Sequence, residues 1–286
     1  LFERMKISEL KAGLEQRGLV PRNRFGQNFL IDPALLKSIP KDAGVQTGDR
    51  VLEVGPGAGA LTEELLAAGA LVLGVEIDVG LHAWLQERFH HEISEGSLRL
   101  VEGDVLAKTE RLHPEVEAWW NSGPPPRVVS NLPYVISGPF LGRLPGRPLL
   151  GAHILLQKEM AEKAAGRGGA GSLPVRLGLS FEVSLGRGLP PEVFWPRPKV
   201  DSIFLNLHPL EEAPSPAEEK VLRELLRLGF AQKRKCLLPR LSADFPAASE
   251  ALTNSGVLET ARPEEVPASL WLKAAREVII QDSSSP

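Results

Sequence analysis

One cysteine, Cys236, stands in 286 residues. A single thiol can build neither an internal disulfide framework nor a zinc–thiolate cage, so a reducing, cytosolic setting is expected. His90 and His91 lack metal-ligand spacing and a third partner, and no metal is expected. No apolar run approaches the roughly 20 residues of a membrane helix. Leu1-Phe2-Glu3-Arg4 is not followed by an apolar h-region, so no secretory signal is expected. An excess of one charge is also missing. The 33 basic and 36 acidic residues leave a net charge of -3, which argues against a chain coated in basic charge but not against local basic patches. With 43% hydrophobic and 24% charged residues the composition is that of a globular protein, which excludes wholesale disorder, a coiled coil and a collagen-like chain. The length allows one large domain, or a large one with a small one.

What is present is an alternation of strands and helices. Ile7, Leu10 and Leu14 at helical spacing predict a surface helix over 5–18. A basic-aromatic segment, 21–30, follows, and Asp32-Pro33 reads as the cap and first residue of a helix reaching Ile39. Short apolar runs predict strands at 50–54, 71–76, 98–102, 127–130 and 149–157, with helices over 61–68 and 79–89 between them. Strands that are apolar on both faces and separated by helices indicate an α/β protein with a parallel sheet and crossover helices. Val175–Leu185 and Ser202–Leu207 are further strand candidates, flanking a proline-rich stretch, 190–198, that cannot be regular. The glycine-rich stretch 166–171 is expected to be a mobile loop. Residues 211–219 read as a polar linker, and 220–229 and 232–241 as helices, which places a domain boundary near residue 210.

Two features of this frame carry chemistry. The first is Glu53-Val54-Gly55-Pro56-Gly57-Ala58-Gly59, between a strand and a helix. Glycines there allow close backbone approach to a ligand and a tight turn into the helix. Because Gly55-x-Gly57-x-x-Ala60 also fits a dinucleotide fingerprint, the loop alone fits either a nicotinamide cofactor or S-adenosylmethionine. Glu76, 21 positions beyond Gly55, ends the next strand, where a carboxylate can accept both ribose hydroxyls of an adenosine. Asp104, after the third strand, can accept from an adenine amino group. The second feature is Asn131-Leu132-Pro133-Tyr134, at a strand end. Pro133 stiffens this turn and aims the Asn131 side-chain oxygen and the Leu132 carbonyl outward together. Two adjacent acceptors suit an exocyclic amino group, and Tyr134 offers a face for stacking. Methyl transfer to an amine conjugated to a purine fits this arrangement. The acceptors favour a more nucleophilic nitrogen, and a sulfonium methyl needs neither metal nor strong base.

Together with Phe25-Gly26-Gln27-Asn28-Phe29-Leu30, Glu76-x-Asp78, Gly103-Asp104, Gln157-Lys158-Glu159, Pro198-Lys199-Val200-Asp201-Ser202 and Phe230-Ala231-Gln232-Lys233-Arg234-Lys235, these motifs run in order over about residues 22–240. In them the chain resembles the ribosomal RNA adenine N6-dimethyltransferases, in particular the bacterial small-subunit (16S) branch. The resemblance implies a doubly wound, Rossmann-like S-adenosylmethionine-dependent domain over 1–210 and a small all-helical C-terminal domain over 211–286 that contributes to RNA binding. It implies that Asn28 and Leu30 cover the cofactor, that Gly55 and Gly57 contact it, and that Glu76 holds its ribose and Asp104 its adenine. Asn131 would bridge cofactor and target, with Tyr134 and Phe194 sandwiching a flipped adenine. Flipping is required because a stacked amino group is out of reach. Val135 and Gly138 depart from the family pattern, which favours polar residues there, and the Tyr-Gly expected near residues 172–176 is missing.

Basic charge gathers locally. Residues 220–240 hold Lys220, Arg223, Arg227, Lys233, Arg234, Lys235 and Arg240 against Glu224 alone. Arg22 and Arg24 precede the first motif, and Arg197 and Lys199 flank the Phe194 loop, so phosphate contacts are expected at Arg22, Arg24, Arg197, Lys199, Lys233, Arg234 and Lys235. Cys236 reads as inert and Trp119-Trp120 as packing. The expected partner is small-subunit rRNA in an immature 30S particle, met by a cytoplasmic monomer with no membrane role. Three other readings compete: a large-subunit (23S) rRNA adenine methyltransferase of the antibiotic-resistance type, a nicotinamide oxidoreductase, and a non-catalytic rRNA-binding assembly factor. The second leaves Asn131–Tyr134 unexplained.

Overall fold

The computed structural model describes residues 7–21, 26–106, 111–232 and 235–284. The chain forms two compact units. The first comprises residues up to 140 with 148–161 and 184–207; the second comprises 141–147, 162–183 and 208 onward. The two units therefore exchange chain at 140/141, 147/148, 161/162, 183/184 and 207/208.

The strands are β1 (Phe29–Leu30), β2 (Arg50–Val54), β3 (Leu71–Glu76), β4 (Leu98–Glu102), β5 (Arg127–Asn131), β6 (Gly151–Gln157), β7 (Phe181–Leu189), β8 (Phe194–Trp195) and β9 (Ser202–Pro209). Seven of them form one sheet in the order β4-β3-β2-β5-β6-β9-β7. β4 to β6 pair in parallel, and β9 runs antiparallel to β6. The chain builds outward from β2 through β3 to β4, then returns to the other side of β2 with β5. The order therefore reverses between β2 and β5. Two crossovers leave in opposite directions there and open a crevice at the carboxyl ends of these strands. β1 and β8 form a separate antiparallel ribbon, with Phe29 opposite Trp195 and Leu30 opposite Phe194.

Local chemistry sets the helix starts. The Asp32 carboxylate accepts from the Leu35 N–H at 2.8 Å, and Asp78 accepts from the Gly80 N–H at 2.9 Å, satisfying donors that the first turn leaves free. Ser215 and Glu218 form a reciprocal capping box on the helix Pro216–Phe230, so the helix begins inside the stretch read as a linker. The expected helix over 232–241 is shorter, Leu238–Asp244.

The segment 175–185 corrects the sequence reading. It is a helix, Ser172–Ser180, followed by β7, and not a strand from Val175. Val175, Leu177, Leu179, Phe181 and Val183 alternate, which reads as period two. The same alternation also holds an i, i+4 pair, Val175 and Leu179, and both pack on the core of the second unit built from Leu222, Leu226, Leu241, Leu252 and Trp271. Burial against that core decides for helix. Within the same unit Arg176 is buried and donates to Glu219 Oε1 at 2.6 Å and to the Gly142 carbonyl at 2.6 Å, tying three separate segments together. Burial pushes the Glu219 carboxyl up, and the Arg176 charge opposes it. Arg176→Ala leaves this carboxylate buried without its hydrogen-bond partner, with only the Arg223 charge to offset it. It should cost about 3 kcal/mol, measured as a fall in the urea midpoint. A midpoint unchanged from the original protein would contradict the role given to the pair.

Candidate active site at the switch point

A cavity of about 310 Å³ opens where the strand order reverses, lined by residues 26–29, 54, 55, 57, 75–77, 104, 105 and 131–136. Four sequence motifs that lie far apart in the chain meet there: the segment after Phe25, the glycine loop, the acids following β3 and β4, and the Asn-Leu-Pro-Tyr turn.

The glycine loop is held by its own donors. The Gly55 N–H donates to the Val75 carbonyl at 2.8 Å, the Gly59 N–H to the Pro56 carbonyl at 2.9 Å, and the Gly57 N–H to Glu76 Oε2 at 2.9 Å. Gly57 has φ +60, and a methyl group on it would lie 2.6 Å from Phe29 Cε1, so only glycine fits beneath that ring. With these three N–H groups engaged, the loop offers few donors to a pyrophosphate, which argues against a dinucleotide held there. The nicotinamide reading loses its only support.

Glu76 is almost fully buried. Its Oε1 accepts from the Asp78 N–H at 2.9 Å while Oε2 accepts from Gly57. Burial pushes its carboxyl up, backbone hydrogen bonds from Asp78, Gly57 and Ile77 pull it down, and the Asp78 charge adds to the rise. Each oxygen keeps a lone pair for a ribose hydroxyl. Asp104 is exposed at the cavity edge and accepts from the Leu106 N–H at 2.9 Å, beside apolar walls from Ile77 and Val105. The residues present therefore fit an adenosine bearing a charged sulfur and an amino-acid tail.

On the facing side, Asn131 Nδ2 donates to the Asn28 carbonyl at 2.8 Å. This bond settles which way the amide points: its nitrogen is committed to the segment that covers the cavity, and Oδ1 is left as an acceptor. Leu132 is buried, and its N–H donates to the Leu155 carbonyl at 3.2 Å, which anchors the turn on β6. The Tyr134 hydroxyl shares a 2.8 Å hydrogen bond with the Ser202 hydroxyl, and burial raises its pKa against that bond. Ser202 fixes the plane of the ring, a role that the Asp201-Ser202 motif alone did not reveal. Val135 is 69% exposed and lines the rim.

Not every expected residue arrives. Phe194 and Leu30 are buried in the hydrophobic core, paired across the β1–β8 ribbon, and neither lines the cavity. Arg197 and Lys199 are exposed, and Arg197 is paired with Glu192. Lys235 is exposed; Arg22, Arg24, Lys233 and Arg234 lie outside the described residues. Arg240 donates to the carbonyls of Leu228, Gly229 and Gln232 and acts as a helix clasp. Among the described residues no group of three His, Cys, Asp or Glu could hold a metal, and no helix is long and apolar enough to cross a membrane.

Behind the loop, Glu53 is fully buried and accepts from the Thr62 hydroxyl at 2.7 Å. Burial pushes its carboxyl up to about 8, the Thr62 bond opposes this and the Glu76 charge adds to it. The folded protein thus keeps a proton that the unfolded chain releases near pH 4.5. Stability from this group is complete below that pH and is lost as pH rises toward 8. Glu53→Gln should flatten the fall in urea midpoint between about pH 5 and 8. An identical fall in the variant would contradict a protonated Glu53.

Residues 19–279 match the family model described as "Ribosomal RNA adenine dimethylase". The chain is 40% identical over 283 residues to the ribosomal RNA small subunit methyltransferase A of Synechococcus sp. (strain WH7803), spanning 94% of this chain and 98% of that one. Identity to the protein of the same name from Lactobacillus acidophilus is 32% over 280 residues, 94% of this chain and 95% of that one. Among solved structures, the 23S rRNA methyltransferase ErmE superposes with a TM-score of 0.62 at 26% identity, covering 88% of this chain and all of that one. A dimethyladenosine transferase from Plasmodium falciparum gives 0.64 at 23% identity, covering 89% and 98%, and speaks to the fold. That fold is the α/β, doubly wound methyltransferase sheet. Since the match takes in every residue lining the cavity, this chain belongs to the ribosomal RNA adenine dimethylase family.

Proposed function

We propose that this chain is an S-adenosylmethionine-dependent enzyme that dimethylates N6 of two adjacent adenosines in small-subunit (16S) rRNA. What supports the reading is the Asn131 amide, whose nitrogen is tied to the Asn28 carbonyl, leaving its oxygen as an acceptor at a cavity that Asn131 and Leu132 both line. The small-subunit relatives, at higher identity and near-complete coverage, favour 16S rRNA over the 23S substrate named for ErmE.

Glu76 would hold the cofactor's ribose and Asp104 its adenine amino group, with Gly55, Gly57 and Asn28 closing around the tail. When bound, S-adenosylmethionine supplies an electrophilic methyl on a positively charged sulfur. Asn131 Oδ1 and the Leu132 carbonyl accept the two N–H groups of the target amine. This draws its lone pair out of conjugation and aims it. Tyr134, its hydroxyl held by Ser202, stacks on the extruded base. The nitrogen forms its new bond to the methyl as the carbon–sulfur bond breaks, and the N–H proton leaves to water. With one methyl in place, one N–H remains to be accepted and the same pair of oxygens serves a second round. Phe194, lying in the core, would need to move to reach the base.

The exposed cations Lys199 and Lys235, with Arg22, Arg24, Lys233 and Arg234, would contact rRNA phosphates, and the helical unit would share in that grip. The substrate is then rRNA within an immature 30S particle, met in the cytoplasm by a monomer. Asn131→Ala should lower turnover by about two to three orders of magnitude while S-adenosylhomocysteine affinity stays within about tenfold. The check is mass spectrometry of N6,N6-dimethyladenosine formed in 16S rRNA from cells lacking the modification. Normal turnover in the variant, or no dimethyladenosine with the unaltered protein, would overturn the reading.

A further inference from the structure

The helix Ile7–Gln16 precedes residue 19, where the family match begins. Leu10 and Leu14 are buried in the core of the first unit, so the helix is firmly docked. Its contacts converge on two tryptophans that stand behind the cavity.

The first is Trp84. Gly13 packs against its ring so closely that a methyl there would lie 2.8 Å from Cη2. The Arg17 guanidinium lies over the same ring at 4.9 Å and donates to Glu87 at 2.8 Å. On its other side the Trp84 indole N–H donates to the Ala58 carbonyl at 3.2 Å. Arg88 Nη1 donates to that same carbonyl at 2.6 Å, while Nη2 is held by Glu63 at 2.8 Å. The second is Trp195. Lys11 Nζ sits 5.1 Å from its ring centre, Trp195 packs on Phe29 at 6.0 Å, and Phe29 occupies the space above Gly57.

We infer that the N-terminal helix is a positioning element for the cofactor loop, acting through Trp84 on the Ala58 peptide and through Trp195 and Phe29 on Gly57. The Ala58 peptide is held in place by two buried donors, the Trp84 indole N–H and the Arg88 guanidinium. A loop ordered before binding does not spend cofactor affinity on its own ordering. Trp84 and Arg88 touch neither substrate nor cofactor in this arrangement. They set how tightly the cofactor binds and leave the methyl-transfer geometry at Asn131 alone. The inference rests on the S-adenosylmethionine reading for the identity of the ligand.

Two substitutions test it. Trp84→Phe keeps a ring against Gly13 and Arg17 but removes the indole N–H. Gly13→Ala keeps Trp84 and pushes its ring from the helix side. Amide hydrogen exchange over residues 55–59, measured without ligand, should be faster in both variants than in the unaltered protein, with exchange of β5 unchanged. Calorimetry should show S-adenosylhomocysteine bound roughly five- to tenfold more weakly. At saturating cofactor, kcat and the KM for rRNA should stay within about twofold, and the paired substitution should weaken binding by less than the product of the single effects. A lowered Tm with loop exchange and ligand affinity both unchanged would reduce Trp84 to packing and overturn the inference. Should the unaltered protein fail to bind S-adenosylhomocysteine, the methyltransferase reading fails. The exchange data, taken without ligand, still decide whether the helix orders the loop.

Discussion

Glu76 sits nearly inaccessible at the end of β3 and accepts backbone N–H groups from Gly57 and Asp78, each at 2.9 Å. Burying a carboxylate costs several kcal/mol unless donors satisfy it, and here the loop supplies one. The consequence runs both ways. The loop gains a fixed shape, and it gives up a donor that a phosphate-binding loop would offer. Asp104, Asn131 and Leu132 line the crevice together with apolar side chains such as Ile77 and Val105.

The same economy governs the facing wall. Asn131 could point either end of its amide into the cavity. Its bond to the Asn28 carbonyl removes the choice, and Pro133 presses within 3.0 Å of where a Cβ on Gly55 would be. The Asn-Leu-Pro-Tyr turn and the glycine loop are therefore in contact, and the segment from Gly26 to Phe29 touches both. Tyr134, the chain's single tyrosine, is held in plane by Ser202 from β9. These supports come from parts of the chain 68 to 103 residues away, which is why the pocket is a property of the fold and not of any one motif.

Much of this was legible in the sequence, for physical reasons. Strands buried on both faces leave unbroken apolar runs, and glycine, proline and capping aspartates mark where they stop. So β2 to β6, the helices after Asp32 and Asp78, and the two acids at strand ends stand where the sequence places them. What failed was long-range. The alternation from Val175 to Val183 reads as a strand until a second core claims Val175 and Leu179 together. The family resemblance places Phe194 against the target base; pairing with Leu30 across a two-residue ribbon buries it. Arg240 counts as a cation in the sequence and as a helix clasp in the fold. Trp84 and Arg88 carry no signal without the neighbours they serve, and the motif that holds Ser202 does not disclose its bond to Tyr134.

On the proposed reading, the crevice at the tips of β2, β3 and β5 receives the adenosine and the amino-acid tail of the methyl donor. A crystal structure of the protein grown with S-adenosylhomocysteine tests this most directly. The ribose hydroxyls should meet the Glu76 carboxylate, the adenine should lie beside Ile77 and Val105 with its amino group toward Asp104, and the amino-acid tail should run along Gly55. A ligand bound anywhere else, or a crevice in which the Glu76 oxygens are turned away from it, would contradict the account.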